Sequence, residues 1–161
     1  MLSLMRYTPT TLKWGMRIWP PFLGAGIVVK EIAPDWTSAT VELHPRRLNS
    51  NIHGTAFGGS LQSMTDAFHA LLLIHRLGRG YNVWDAAAET RFIRPGRGVV
   101  TARMELSDEE LERVRTETAD GGKSLPWFEF PITDRHGEVV AQVRRQVYVR
   151  RHRGASVPAA G

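Results

Sequence analysis

The 161-residue sequence has no cysteine, which excludes disulfides, thiolate metal sites and a cysteine nucleophile. A chain without them suits a reducing compartment, and a cytoplasmic location is the expectation. Long apolar runs are missing as well. The longest aliphatic stretch, Leu71 to Ile74, falls far short of the roughly 20 residues that cross a bilayer. The opening residues, MLSLMRYTP, lack the apolar core of a signal peptide. No internal repeat or low-complexity block is visible. Acidic residues are in deficit: 16 stand against 21 basic ones, a formal net charge of +5, with a pI of about 10.2. That balance favours anionic partners such as nucleic acid, acidic membrane or a phosphorylated small molecule. Much of the excess lies late in the chain, in Arg144, Arg145 and the run Arg150 to Arg153, where a solvated basic tail is the simpler reading.

The remaining composition fits one domain, expected over residues 1–153, with a flexible tail over 154–161. Thr8 is a helix cap, Pro9 suits the first helical position, and Pro20 and Pro21 stop that helix. Strands are predicted over Ile27 to Ile32 and Ala39 to Leu43. A long helix follows, from about Gly59 to Leu77. Four more strands are predicted: Ala86 to Ile93, Val99 to Leu106, Phe128 to Ile132 and Val139 to Val149. Ser107 and Glu110 form a capping box for a short helix ending near Gly121. Connections between the later strands are too short for crossovers, so the sheet should be mostly antiparallel. The result is an α+β layer of one apolar helix against one sheet of about six strands, with an edge that invites dimerisation.

Asp66 is the anomaly in this pattern. On a helical projection it shares a sector with Ala70, Leu73 and Leu77. It is therefore expected in a partly dry place, where a carboxylate is either paired or does chemistry. Gly58 and Gly59 lie at the helix start, where main-chain N–H groups are unpaired and a ligand can approach closely. Such amides suit a carbonyl oxygen that gains charge during acyl transfer, with Asp66 attacking or activating water.

Asn51, Gly54, Gly58, Gly59 and Asp66 stand as N-x-x-G-x-x-x-G-G, then six residues, then D. This resembles the signature of hotdog-fold acyl-CoA thioesterases of the phenylacetate type. From about Trp19 to Arg151 the chain looks like a hotdog branch of thioesterase-like proteins with unassigned function, and Arg94-Pro95 closes the strand after the helix as in that family. The resemblance implies a long central helix wrapped by a curved sheet, and a homodimer or homotetramer with acyl-CoA bound between subunits. It makes Asp66 the catalytic carboxylate and Asn51 the group that orients water or thioester. The amides at Gly58 and Gly59 would hold the thioester oxygen, with no cofactor. Many relatives have histidine where this chain has Phe57, which cannot donate a hydrogen bond. His53, four positions earlier, is the candidate replacement.

Other residues carry two readings each. His69 is placed to pair with Asp66 or bind a metal, yet no second His/Asp/Glu cluster completes a ligand set, and a hydrogen-bonded or exposed histidine is the simpler view. His75 suits the C-terminal end of the helix dipole. Asp85 either faces the pocket or caps a strand entry. Arg94 and Arg97, in the turn with Pro95, Gly96 and Gly98, either meet the phosphates of coenzyme A or are solvated. Trp14, Trp19 and Phe22 either cap the acyl site or fill the core. Two functions other than acyl-CoA hydrolysis stay open at this level: binding of an acyl-CoA or apolar acid without turnover, and dehydration on the same fold. Specific nucleic-acid binding is not expected, since no such motif appears and the basic residues are scattered.

Overall fold

The computed structural model describes residues 7–152; the tail expected over 154–161 lies outside the described residues. The chain begins with α1 (Pro9–Ile18) and α2 (Pro20–Ala25). Thr8 and Thr11 close a reciprocal cap at the start of α1, with Pro9 inside the first turn. Two strands follow, β1 (Ile27–Ile32) and β2 (Ser38–Leu43), then helices α3 (Gly58–Ser63) and α4 (Phe68–Leu77). The second half holds β3 (Tyr81–Phe92), β4 (Val100–Glu105), α5 (Asp108–Glu117), β5 (Lys123–Ser124), β6 (Trp127–Asp134) and β7 (Val139–Arg151).

All seven strands pair antiparallel in one sheet of order β1-β2-β4-β6-β7-β3, with β5 added beside β7. Inward residues alternate along the strands, as a half-buried sheet requires; Val41 and Leu43 of β2 and Val143, Val147 and Val149 of β7 are fully buried. They cover α3, α4 and the turn between them, whose Leu61, Met64, Phe68, Leu72 and Leu73 form the other layer of the core. Among the described residues β3 pairs only with β7 and so leaves a twelve-residue edge.

The expected long central helix is present as two segments. Met64 to Ala67 interrupt it, and Ala67 adopts the left-handed conformation at φ 66°. No glycine or proline marks this break. Its cause is polar competition from the sheet. The Gln62 carbonyl, which a continuous helix would offer to the Asp66 N–H, accepts from Arg145 Nη2 at 2.7 Å. The Ala67 N–H, which would go to Ser63, donates to Asp85 Oδ2 at 2.9 Å. Thr65 also donates its hydroxyl to the Gln62 carbonyl at 2.8 Å. The sheet thereby takes two main-chain groups from the helix.

β4 and β6 pair only from Val100 to Ala102, opposite Asp134 to Ile132. The next partner on β6 is Pro131, which has no N–H. Asp134 donates across the hairpin to Glu138, so alternation turns the nitrogens of Thr133 and Pro131 toward β4. The ladder therefore stops at proline and the strands part.

Candidate functional site

Arg145 organises the site. Its side chain, on β7, is only 6 % exposed, and its guanidinium faces the helix break. Nη1 donates to Asp66 Oδ1 at 3.0 Å and lies 4.0 Å from Asp85 Oδ2. Nε and Nη2 both reach the Thr65 hydroxyl, at 3.3 and 3.1 Å. Two carboxylates thus share one buried cation. Burial pushes the Asp85 carboxyl above its ordinary range. The Ala67 N–H and Arg145 oppose that rise, and the neighbouring Asp66 adds to it. A bulge in the β3–β7 ladder falls directly after Asp85.

Asp66 itself departs from the dry setting expected of it. Its side chain is 56 % exposed and accepts from Arg145 at Oδ1. The helix break is the reason: Ala70, Leu73 and Leu77 are buried on α4, while Asp66 precedes the left-handed residue and turns away from them. Arg145, read in the sequence as part of a basic C-terminal excess, is instead an inward-facing strand residue. Arg144 beside it faces outward, ion-paired with Glu89 at 2.9 Å.

The residues predicted for the site fall around two cavities. One, of about 630 Å³, is lined by Asn51, His53, Gly58, Arg94 and Arg97, together with Leu61 and Phe92. The other, of about 360 Å³, is lined by Gly59, Gln62, Ser63, Asp66 and Arg145. α3 stands between them and contributes one of its first two glycines to each. Asn51 holds its own loop: Oδ1 accepts from the N–H of His53 at 3.0 Å and of Thr55 at 3.1 Å, and Nδ2 donates to the Thr55 hydroxyl at 2.9 Å. Arg94 donates to the Val139 carbonyl at 2.8 Å and pairs with Glu138. No ion pair among the described residues involves Arg97.

Aromatic rings stand close to both paired glycines. A Cβ on Gly58 would stand 3.0 Å from the Phe92 ring, and one on Gly59 would stand 2.5 Å from the ring of Phe57. Phe57 therefore folds back over the second glycine, and both rings are half-exposed.

His69 does not meet Asp66. It is buried, stacked on Phe128 with ring centroids 4.3 Å apart and tilted against Phe130 at 5.1 Å. Burial lowers its pKa to about 4, so it is neutral at ordinary pH. No cluster of three metal-ligating side chains exists among the described residues. His75 stacks flat on Trp36 at 3.4 Å, and burial lowers its pKa also. This stack, rather than a charge at the helix end, holds it. Phe22 joins the core as one of its two readings proposed, whereas Trp14 and Trp19 are exposed. Glu89 and Arg91 lie on the exposed side of β3. Arg145, Thr65 and Gln62 were missed. The only sequence signal for Arg145 was a charged residue at an apolar phase of a strand, between Val143 and Val147.

Residues 9–149 match the family model of a domain of unknown function, DUF4442. No curated protein matches the chain. Among solved structures, a Pseudomonas aeruginosa protein of unknown function, described as a probable thioesterase, superposes with a TM-score of 0.78 at 22% identity, over 89% of this chain and 97% of that one. A Haemophilus influenzae thioesterase gives a TM-score of 0.66 at 15% identity, over 89% and 90%. The E. coli PaaI protein of the phenylacetic acid degradation operon gives 0.58 at 19% identity, over 86% and 92%. The chain shares the fold of these proteins, a hotdog fold.

Proposed function

The chain belongs to the DUF4442 family, and from that premise we propose that it hydrolyses an acyl-CoA thioester with the Asp66 carboxylate. The observation that carries this reading is the placement of Asp66 beside Gly59 at the start of α3, held by the buried Arg145. Arg145 binds Oδ1 and fixes the carboxylate's direction. Asp66 takes a proton from water as the water oxygen attacks the thioester carbonyl. The first N–H groups of α3, at Gly58 and Gly59, have no partner within the helix and meet the carbonyl oxygen as it gains charge. Collapse expels the thiolate, which takes the proton back from Asp66, and the acid leaves. In the variant route Asp66 attacks directly, and water then cleaves the mixed anhydride. Neither route needs a cofactor.

Arg94 and Arg97 at the rim of the 630 Å³ cavity suit the phosphates of coenzyme A, as does the net charge of +5. Asn51 and His53 shape the loop that walls this cavity. Pairing of the free β3 edge with that of a second copy would extend the sheet and set one subunit's cavity against the other's α3. A homodimer, or a homotetramer built from it, follows. That the structural neighbours include thioesterases supports the reaction class. A cytoplasmic location accords with the lack of cysteine.

Phe57 favours a second reading. Its ring lies over Gly59 and offers no hydrogen-bond donor, and a protein built that way can bind an acyl-CoA or apolar acid without turning it over. One experiment decides between them. Wild type and Asp66→Asn are assayed for free thiol from short, long and aromatic acyl-CoAs, with melting curves confirming that both fold. Turnover that falls on the order of a hundredfold or more in the folded variant supports hydrolysis at Asp66. Acyl-CoA that raises the melting temperature of both proteins without turnover supports the binding reading.

A further inference from the structure

We propose that the face formed by α1, α2 and the 44–49 loop docks on a bilayer surface that carries anionic lipid. This does not depend on the thioester reading. Its basis is a helix that is apolar on two opposite sides. Leu12 and Met16 of α1 pack against the core. At 100° per residue, Trp14 and Ile18 lie on the opposite side, and Ile18 is 75 % exposed. Large apolar side chains therefore stand on the outer side of α1 as well as on its core side, with Lys13 and Arg17 on the same helix.

The exposed apolar surface continues beyond α1. Trp19 follows, its ring 5.2 Å from Phe22, and then Leu23 of α2, 66 % exposed. Leu48 is 99 % exposed and walls, with Leu23, Arg46 and Arg47, one surface cavity of about 780 Å³. The loop is fixed there by Asn49, which donates to the Ala25 carbonyl at 2.8 Å. A single exposed leucine is ordinary, but two tryptophans and three aliphatic side chains exposed on and between α1, α2 and the 44–49 loop mark an interaction surface.

Charge identifies the partner. Residues 1–30 and 44–65 contain no aspartate or glutamate, although the chain has 16. The cations at this face are Lys13, Arg17, Arg46 and Arg47, with Arg17 stacked 4.6 Å over the Trp14 ring. A second copy docking here would set two positive faces together, which like-charge repulsion opposes. A nucleic acid would answer the cations but leave Ile18, Leu23 and Leu48 in water. An anionic bilayer satisfies both. The aliphatic tips enter the headgroup boundary, the indoles sit at the interface, and the basic rim meets the lipid charges.

The test is co-sedimentation of the full chain with vesicles of phosphatidylcholine alone and of phosphatidylcholine mixed with phosphatidylserine. Binding to the mixed vesicles, released by salt and absent from pure phosphatidylcholine, is the expected result. The double variants Ile18→Ser with Leu23→Ser, and Arg46→Gln with Arg47→Gln, each weaken binding on the order of tenfold or more. Their melting temperatures stay near wild type, because these side chains are exposed. No binding, equal binding to both vesicle types, or binding unchanged in both variants overturns the proposal. So does a lower sedimenting mass for the serine variant in lipid-free buffer, which would show that a second copy covers the face.

Discussion

Arg145 reaches back 79 residues to Asp66, Nη1 to Oδ1 at 3.0 Å, and the same guanidinium takes the Gln62 carbonyl that a continuous helix would use. One side chain therefore both interrupts the central helix and aims the carboxylate. The Asp66 position, the left-handed Ala67 and the bond from Ala67 to Asp85 form a single arrangement, and its parts respond to substitution in different ways.

Arg145→Met removes a buried cation and leaves the more buried Asp85 without its counter-charge. The expected loss is on the order of 2–4 kcal/mol in chemical denaturation. Asp66→Asn loses about 1 kcal/mol or less, since that carboxylate is largely solvated. Arg145→Lys falls between the two, because an ammonium cannot fork to Gln62, Thr65 and Asp66 together. Equal losses for Arg145→Met and Asp66→Asn would deny Arg145 its organising role.

Ala67→Gly should stabilise the protein. A left-handed alanine costs about 1 kcal/mol or more, and glycine relieves that strain at a smaller cost in unfolded-state entropy. The net gain expected is about 0.5 kcal/mol, read as a small rise in Tm. A fall in Tm would show that the Ala67 methyl contributes more by packing than its backbone loses by strain.

His69 makes stability depend on pH. Its pKa is near 4 in the folded chain and 6.5 in the unfolded one, so the unfolded state binds more protons between these values. Stability is full above pH 6.5 and declines as pH falls toward 4, by up to about 3 kcal/mol from this group. His69→Leu should flatten that part of the urea-midpoint profile whatever its effect at neutral pH. An unchanged slope would show that His69 is not buried as a neutral ring.

Gly26 tests the anchoring of the 44–49 loop. It holds φ at 77°, and a Cβ there would stand 2.1 Å from Asn49 Nδ2 and 2.7 Å from the His44 carbonyl oxygen. Gly26→Ala combines a left-handed penalty with a clash against main chain, so a loss of about 2–3 kcal/mol is expected in urea unfolding. A neutral result would mean that the loop yields freely.

Legibility in the sequence followed the range of each interaction. The caps at Thr8 and Ser107 involve residues three apart and were read directly. Six of the seven strands are legible in the sequence, with β3 starting at Tyr81 rather than at Ala86; β5, two residues long, carries no period to detect. The glycine pair and Phe57 before it are legible in the sequence, but Phe92 is not, because it arrives from a strand 34 positions away. The break at Met64 to Ala67 was invisible for the same reason: its cause lies on β3 and β7, and the local residues read as good helix.

The sequence by itself determined the class of this protein: an apolar helical segment against a mostly antiparallel sheet, a glycine-rich entry and one carboxylate in an improbable place. Period, caps and turn chemistry act between near neighbours, so they can be read along the chain. Tertiary structure alone decided what surrounds that carboxylate. Only folding brings Arg145 and Asp85 within 4 Å of each other, takes two main-chain bonds from the helix and turns Asp66 toward solvent. The physical reason is that a buried guanidinium must find its acceptors wherever the fold supplies them, and here they come from the helix that sequence period would have kept whole.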